Sequence, residues 1–441
     1  MSTAVVLFSR DLRVHDNPAL GAAAARFDEI VPLFVLEEHL LRSANRTAFL
    51  LEALVDLRAS LGGTLVVRRG DVVTEALAFR PDAVFIAADS STYARNRERR
   101  LRERVELTVM PGPAIVQPGE IHPAGSDHYR VFTPYWRAWE GTPPRALAAE
   151  PPAIRLPVGI DSGRLPTLAE LGHGAASPGL PRGGESEGRR RLSRFLETRL
   201  ATYGDTRDAL RLGSTSQLSP YLHFGCVSPV ELARLVKGRA GAGPFLRQLC
   251  WRDFYLQLLA ARPDISQADF RARGDEWHED EDAFAAWRHG LTGYPIIDAS
   301  MRQLRLEGWI PGRARLLAAS FLVKDLRIDW RRGAAHFSDL LVDGDVASNS
   351  GNWQWVAGTG TDTRPNRVFN PLRQALRFDP DGAYVRRYIP ELASLPANTI
   401  HEPWQLGVTA LARLAYPAPL VDHADARRAF ASSRVRRASS A

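Results

Sequence analysis

The stretch DGDVASNSGNWQW, which begins at Asp343, brings together two carboxylates, an amide and two indoles. Asp343 and Asp345 flank a glycine, but the later oxygen ligands and the closing glutamate of a calcium-binding EF-hand are missing. If the stretch is helical, Asn349 and Trp353 share a face, while Trp353 and Trp355 point in nearly opposite directions. One indole would then face the interior and the other a cavity, although two core tryptophans would give the same pattern.

A second group of polar and aromatic residues lies in the apolar helical pattern of residues 244–262. Gln248, Trp251, Arg252 and Tyr255 stand at i, i+3, i+4 and i+7, so they share one helix face. An amide, a guanidinium and two aromatic rings are unusual on a helix face that packs against the protein core. The alternative is a solvated face with aromatic edges.

Other kinds of site are excluded by residue counts and missing motifs. Cys226 and Cys250 are the only cysteines, which excludes a disulfide framework and any four-thiolate zinc or iron–sulfur site. Neither GxGxxG nor a Walker A sequence occurs in the N-terminal part, and no cluster resembles a catalytic triad or a metal site. We therefore predict no metal.

The net charge of +7 allows a polyanionic partner. Lys237 and Lys324 are the only lysines, so almost all of the positive charge is carried by arginine. Arginine suits phosphate binding, but a bias in coding composition would give the same excess.

The elements that must position these residues fall into two types. The first 110 residues alternate short β-branched apolar runs with helical patterns, which indicates a parallel sheet covered on both faces. An Asp16-Asn17-Pro18 sequence predicts a helix start. The strands are predicted at residues 4–8, 29–36, 64–67, 83–88 and 106–110.

Beyond a segment rich in Pro, Gly and Ala, the pattern becomes helical, with apolar residues at i, i+3 and i+4 spacing. No comparable strand pattern intervenes, so this half is predicted to be all-α. The predicted boundaries are 1–130 for the α/β domain, 131–186 for an irregular connector, 187–430 for the helical domain and 431–441 for a disordered basic tail.

No signal peptide and no apolar run of about 18 residues is present, so we expect a cytoplasmic protein that does not span a membrane.

Six longer motifs stand out along the chain. They are SRDLRVHDNPAL (9–20), TSQLSPYLHFG (215–225), CWRDFY (250–255), TGYPIIDASMRQL (292–304), SFLVKDLRIDWR (320–331) and DGDVASNSGNWQWVAGTGTD (343–362). In order and spacing they resemble those of the DNA photolyase/cryptochrome family over roughly residues 3–430, most closely the class I cyclobutane pyrimidine dimer photolyases. The resemblance implies a Rossmann-like α/β domain for a light-harvesting antenna and an all-α domain that binds FAD.

The resemblance implies FAD contacts at two sets of positions. Hydroxyls and backbone N–H groups at a helix start suit the pyrophosphate, and Arg252 matches a position near the same phosphates. Arg315 matches a flavin-site arginine that pairs with Asp343, and Asp345 matches a second acidic contact. The residues matching the phosphate and ribose contacts are Tyr203, Thr215, Ser216, Gln217, Leu218 and Ser219.

Asn349 matches the position that faces flavin N5, where a neutral amide cannot readily donate a proton. Trp353, Trp330 and Trp277 match a three-tryptophan chain that carries electrons from the surface to the flavin. Residues that match contacts to the lesion or to DNA are Trp251, Trp355, Gln248, Arg207, Arg313 and Gln374.

The implied reaction is blue-light repair, in which an electron from excited reduced FAD splits a cyclobutane pyrimidine dimer that has been flipped out of UV-damaged DNA. We expect a monomer that acts on single- or double-stranded DNA. The alternative is a cryptochrome-like flavin photoreceptor with weak or no repair activity. The short segment after the last helical pattern favours repair.

Three positions depart from the family pattern. Gln248 replaces a glutamate that binds the lesion in many members, and Gly312 replaces an asparagine beside the flavin. Arg97 stands where folate-binding members tend to carry a glutamate, which favours 8-hydroxy-deazaflavin over methenyltetrahydrofolate as the antenna. The absence of histidine between Trp309 and Arg331 argues against repair of the (6-4) photoproduct.

Overall fold

The computed structural model describes residues 2–151 and 153–438. Five strands lie in the N-terminal part, as the apolar runs predicted: β1 (Thr3–Leu7), β2 (Glu29–Leu36), β3 (Val66–Arg69), β4 (Ala83–Ala87) and β5 (Glu106–Met110). They form one parallel sheet with the order β3-β2-β1-β4-β5. Asn17 caps the first helix, and its side chain accepts a hydrogen bond from the Leu20 N–H.

Strand order reverses beside β1, because β1 pairs with β2 on one side and with β4 on the other. In parallel α/β sheets, a crevice opens at the carboxyl ends of the strands at such a point. The helices of this part are α1 (Pro18–Ala24), α2 (Ala44–Ser60), α3 (Val72–Leu77) and α4 (Thr92–Arg102), with a 3₁₀ turn at Glu38–Leu41.

The segment predicted to be an irregular connector, 131–186, contains a regular helix, which corrects that expectation. Helix α5 (Phe132–Gly141) forms because Phe132, Tyr135 and Trp139 recur at i, i+3 and i+7 and are buried. A 3₁₀ turn at Ala169–Leu171 follows, and the next long helix starts at Glu185.

Helices build the rest of the chain, as predicted. They are α6 (Glu185–Thr198), α7 (Tyr203–Thr206), α8 (Ser219–His223), α9 (Pro229–Val236), α10 (Ala242–Ala261), α11 (Glu281–His289), α12 (Pro295–Glu307), α13 (Gly312–Ser320), α14 (Trp330–Leu340), α15 (Val346–Ala357), α16 (Pro371–Phe378), α17 (Ala383–Tyr388), α18 (Val408–Arg413) and α19 (His423–Ala438). A π-helical turn, Phe321–Asp325, and 3₁₀ turns at Leu210–Leu212, Pro390–Leu392 and Pro403–Leu406 complete this part.

The expected disordered tail is wrong for residues 431–438, which continue α19. Phe430 and Arg434 are buried, and Arg434 forms an ion pair with Asp275 at 2.8 Å. These contacts hold the helix against the body of the protein. Residues 439–441 lie outside the described part of the chain.

One apolar core covers a face of the sheet and continues into α10, while a second fills the space among α11 to α17. In the described residues, no helix combines the length and apolar character needed to cross a membrane.

Candidate active site

A cavity of about 570 Å³ opens in the helical part, between α10, α13 and α15. Of the site residues assigned from the sequence, all except Trp277, Trp330 and Gln374 line it. The lining residues are Tyr203, Arg207, Thr215, Ser216, Gln217, Leu218, Ser219, Gln248, Trp251, Arg252, Arg313, Arg315, Asp343, Asp345, Asn349, Trp353 and Trp355.

Helix α15 places the carboxylate and amide groups. The Asp345 side chain caps the helix by accepting a hydrogen bond from the Ser348 N–H at 2.8 Å. Asn349 follows one turn later, and its amide nitrogen donates to the Ala334 carbonyl of α14 at 2.9 Å. This bond fixes the half-buried Asn349 side chain at the cavity wall.

The two carboxylates have separate arginine partners. Arg315 Nη2 donates to both oxygens of Asp343, at 3.0 and 2.8 Å, which forms the ion pair expected from the sequence. Asp345 instead pairs with Arg10 of the sheet part at 2.6 Å, a contact that was not predicted from the sequence. Burial acts to raise the pKa of Asp345, but the Arg10 guanidinium and other positive groups hold that pKa below its usual value. Asp345 is therefore ionised in the cavity wall.

Aromatic rings lie at two places in the lining. Trp251 stacks on Phe132 of α5, with centroids 3.6 Å apart and planes 2° from parallel. Trp355 lies below the Arg367 guanidinium, which is 5.6 Å from an indole ring centroid. Gln248 and Asn352 are exposed lining residues and mark the mouth of the cavity.

The residues expected at a pyrophosphate precede α8. The Thr215 hydroxyl oxygen is buried without a hydrogen-bond partner among the described residues, and Gln217 has a φ of 53°. An unpartnered hydroxyl and a turned backbone beside a cavity with several arginines fit an anionic ligand such as the FAD pyrophosphate.

His223 and Trp309 also line the cavity, although neither was predicted from the sequence to be a site residue. Burial, assisted by Arg10, lowers the pKa of His223 to about 3, so this imidazole is neutral. The sequence signal for His223 was its position in the YLHFG motif, next to the residues assigned to the phosphates.

The tryptophans expected to carry electrons lie behind α15. Trp353 and Trp330 are buried, at 2% and 0% exposure, and Trp277 packs against the same apolar cluster with part of its surface exposed. A Cβ on Gly333 of α14 would stand only 2.2 Å from Trp353 Cη2, so the absence of a side chain there admits the indole. Trp287, which was not assigned, contacts Trp353 edge to face at 6.1 Å.

Two residues expected from the sequence to contact DNA, Arg313 and Gln374, lie next to each other, although only Arg313 lines the cavity. Arg313 donates to Asp208 at 2.9 Å and to the Gln374 amide oxygen at 3.5 Å, which ties α13 to α16. Gly312 is exposed, and a Cβ built there meets nothing within 4 Å, so the missing asparagine leaves open space at the wall.

A second polar region occupies the crevice at the carboxyl ends of β1 and β4. Arg10 donates to Asp89 at 3.4 Å, so it reaches this crevice as well as Asp345. Burial lowers the pKa of Arg97, although the nearby charges of Asp89, Asp11 and Glu37 oppose that shift. Arg97 Nε is buried without a hydrogen-bond partner among the described residues.

Among the described residues, no cluster of His, Cys, Asp and Glu has an arrangement that would hold a metal ion.

Comparison with known proteins gives matches over the whole chain. A family model described as DNA photolyase matches residues 4–154, and one described as the FAD binding domain of DNA photolyase matches residues 245–436. A deoxyribodipyrimidine photo-lyase from Streptomyces griseus is 50% identical to this chain. The alignment covers 98% of this chain and 99% of the Streptomyces griseus protein.

Solved structures agree with this result. A bacterial class III photolyase from Agrobacterium tumefaciens superposes with a TM-score of 0.90 at 32% identity, covering 100% of this chain and 98% of its own. An archaeal photolyase from Sulfolobus tokodaii, solved with two FAD molecules, gives a TM-score of 0.88 at 30% identity and covers 98% of this chain and 99% of its own. The similarity extends over both the sheet part and the helical part of the chain.

Proposed function

We propose that this chain, which belongs to the DNA photolyase family, is a deoxyribodipyrimidine photo-lyase that splits cyclobutane pyrimidine dimers in DNA under blue light. The observation that carries the proposal is the cavity itself, where Trp251, Trp355 and Gln248 line the same space as Asn349. A flavin and a damaged dinucleotide would meet in that space.

FAD, when bound, supplies a light-driven electron that opens the dimer and is then returned. The Arg315–Asp343 pair and Asp345 would hold the flavin ring, with the ionised Asp345 kept in place by Arg10. Asn349 would present a neutral amide to flavin N5, and a group of this kind does not readily deliver a proton. The segment that begins at Thr215 would bind the pyrophosphate.

The lesion would leave the duplex and enter the mouth marked by Gln248. Stacking of a base on an aromatic ring is worth about 1–3 kcal/mol, and Trp251 and Trp355 offer two such rings. A poorly stacked lesion lowers the cost of flipping. Arg207 and Arg313, with Gln374, would contact the DNA backbone outside the cavity.

Trp277, Trp330 and Trp353 would form the route by which electrons reach the flavin from the surface. Their burial supports this role, since the partly exposed Trp277 packs against the cluster that encloses the other two.

For the second chromophore we propose 8-hydroxy-deazaflavin rather than methenyltetrahydrofolate, in the crevice near Arg97. A buried guanidinium with an unpartnered nitrogen favours an anionic or strongly accepting ligand. The Sulfolobus tokodaii photolyase was solved with two FAD molecules, so a second flavin has a precedent in a protein similar to this chain. We further propose a cytoplasmic monomer that acts on single- or double-stranded DNA.

The test is to purify the protein, record its visible spectrum and illuminate it with dimer-containing single-stranded DNA. We expect bound flavin and conversion of dimers to pyrimidines under blue light, with none in the dark. Bound flavin without dimer splitting would exclude the enzyme and leave the photoreceptor alternative.

A further inference from the structure

Asp269 lies in the irregular segment between α10 and α11 and contacts the middle tryptophan of the proposed route. Its Oδ1 accepts a hydrogen bond from Trp330 Nε1 at 2.9 Å and another from Arg331 Nη2, also at 2.9 Å. The carboxylate is only 17% exposed, while Trp330 is fully buried. The indole N–H of Trp330 is thus held by a charged acceptor.

Arg331 lies on the face of the same indole, with its guanidinium carbon 4.7 Å from the ring centroid. A cation there opposes positive charge on Trp330, whereas the carboxylate favours it. Asp269 is closer, at 2.9 Å from Nε1, and less exposed than Arg331, which is 34% exposed and also pairs with Asp329. Because the Asp269 carboxylate is closer and less screened by solvent, its effect on positive charge at Trp330 exceeds that of the Arg331 guanidinium.

We propose that Asp269 is a positioning residue of the electron route, which makes Trp330 easier to oxidise than a buried indole with a neutral partner. The inference rests on the proposed function. In the step concerned, one electron passes from Trp330 to oxidised Trp353, the light-excited flavin being the original oxidant. Trp330 becomes a cation and Trp353 becomes neutral. The N–H proton stays on Trp330, in its hydrogen bond to Asp269.

Asp269→Asn keeps a hydrogen-bond acceptor and removes the charge. A charge-assisted hydrogen bond is about twice as strong as a neutral one, so we expect electron transfer from Trp330 to become roughly tenfold less favourable. Photoreduction of the bound flavin, followed by transient absorption, should slow by a similar factor. The Trp330 indole N–H resonance should shift in the dark, because that proton loses its charged partner.

Three variants calibrate the result. Trp353→Phe interrupts the route and sets the lower limit. Arg331→Gln removes the opposing charge and should photoreduce at least as fast as the wild type. Arg332→Gln removes a charge that pairs with Glu281 instead, and it should match the wild type. Because residues 269 and 331 carry opposite charges, an electrostatic effect and simple damage to the fold predict different photoreduction rates for the two variants.

The inference is overturned if the flavin of Asp269→Asn is photoreduced at a rate within twofold of the wild-type rate. It is also overturned if Arg331→Gln lowers the photoreduction rate as much as Asp269→Asn does. Dimer splitting by the chemically reduced wild-type protein is measured separately. Its failure would contradict the proposed function, while the photoreduction comparison would still decide the role of Asp269.

Discussion

At the scale of single residues, the Gln248 amide is exposed at the mouth of the cavity, on the helix face that also bears Trp251 and Arg252. Residue spacing predicted this shared face, because helical neighbours at i, i+3 and i+4 follow from local geometry. The Arg10 partner of Asp345 was unpredictable from spacing, since 335 positions separate the two residues. Only the fold brings them together.

Gln248→Glu should strengthen recognition of the lesion. A carboxylate forms a charge-assisted hydrogen bond with a pyrimidine N–H, and this gain corresponds to about fivefold tighter binding. The measurement is the ratio of Kd values for undamaged and dimer-containing oligonucleotides, with Gln248→Ala as the control that lowers the ratio. An unchanged ratio in both variants would show that this side chain does not contact the lesion.

At the scale of elements, α14 and α15 approach closely because Gly333 leaves room for the Trp353 indole. The helix that carries Asn349, Trp353 and Trp355 was predicted correctly. The expectation that one indole would face the interior and the other a cavity was wrong, because both tryptophans border the same cavity. The contact with Trp287 was not predicted, because a tryptophan in α11 carries no sequence mark of its tertiary neighbour.

Gly333→Ala should destabilise the protein and displace Trp353. The added Cβ would lie 2.2 Å from Trp353 Cη2 and 2.6 Å from Leu322 Cδ2. Overpacking of this kind costs about 1–3 kcal/mol, and urea unfolding measures it. Gly243→Ala in α10 is the matched control, since nothing lies within 4 Å of its Cβ and it should be neutral or stabilising. Equal stability of both variants would contradict the close approach.

At the scale of the whole molecule, Asp253 of α10 joins the helical part to the segment that follows the sheet. Its Oδ2 accepts hydrogen bonds from the Ile115 and Val116 N–H groups and from Trp139 Nε1, at 2.9 to 3.0 Å. Burial raises the pKa of Asp253 to about 6, although Arg252 and these donors oppose the shift. The CWRDFY motif is visible in the sequence, but this joining role depends on contacts more than 100 positions away.

The raised pKa makes stability depend on pH. Because the folded pKa of about 6 exceeds the ordinary 3.8, this group contributes stability that is present below about pH 4 and is lost as pH rises through 6. The difference is on the order of 3 kcal/mol. Asp253→Asn should flatten this part of the pH profile of the free energy of unfolding, measured in urea from pH 4 to 7. Parallel wild-type and variant profiles would contradict the assignment.

Arg10 donates to Asp89 in the crevice and to Asp345 in the cavity wall, so one side chain connects the two sites. The two halves are therefore not interchangeable modules. A chimaera that takes its sheet from a relative with a different antenna chromophore would also replace Arg10, the counter-ion of Asp345 at the start of α15. This chimaera should lose FAD unless residue 10 remains arginine, whichever antenna chromophore the new sheet binds.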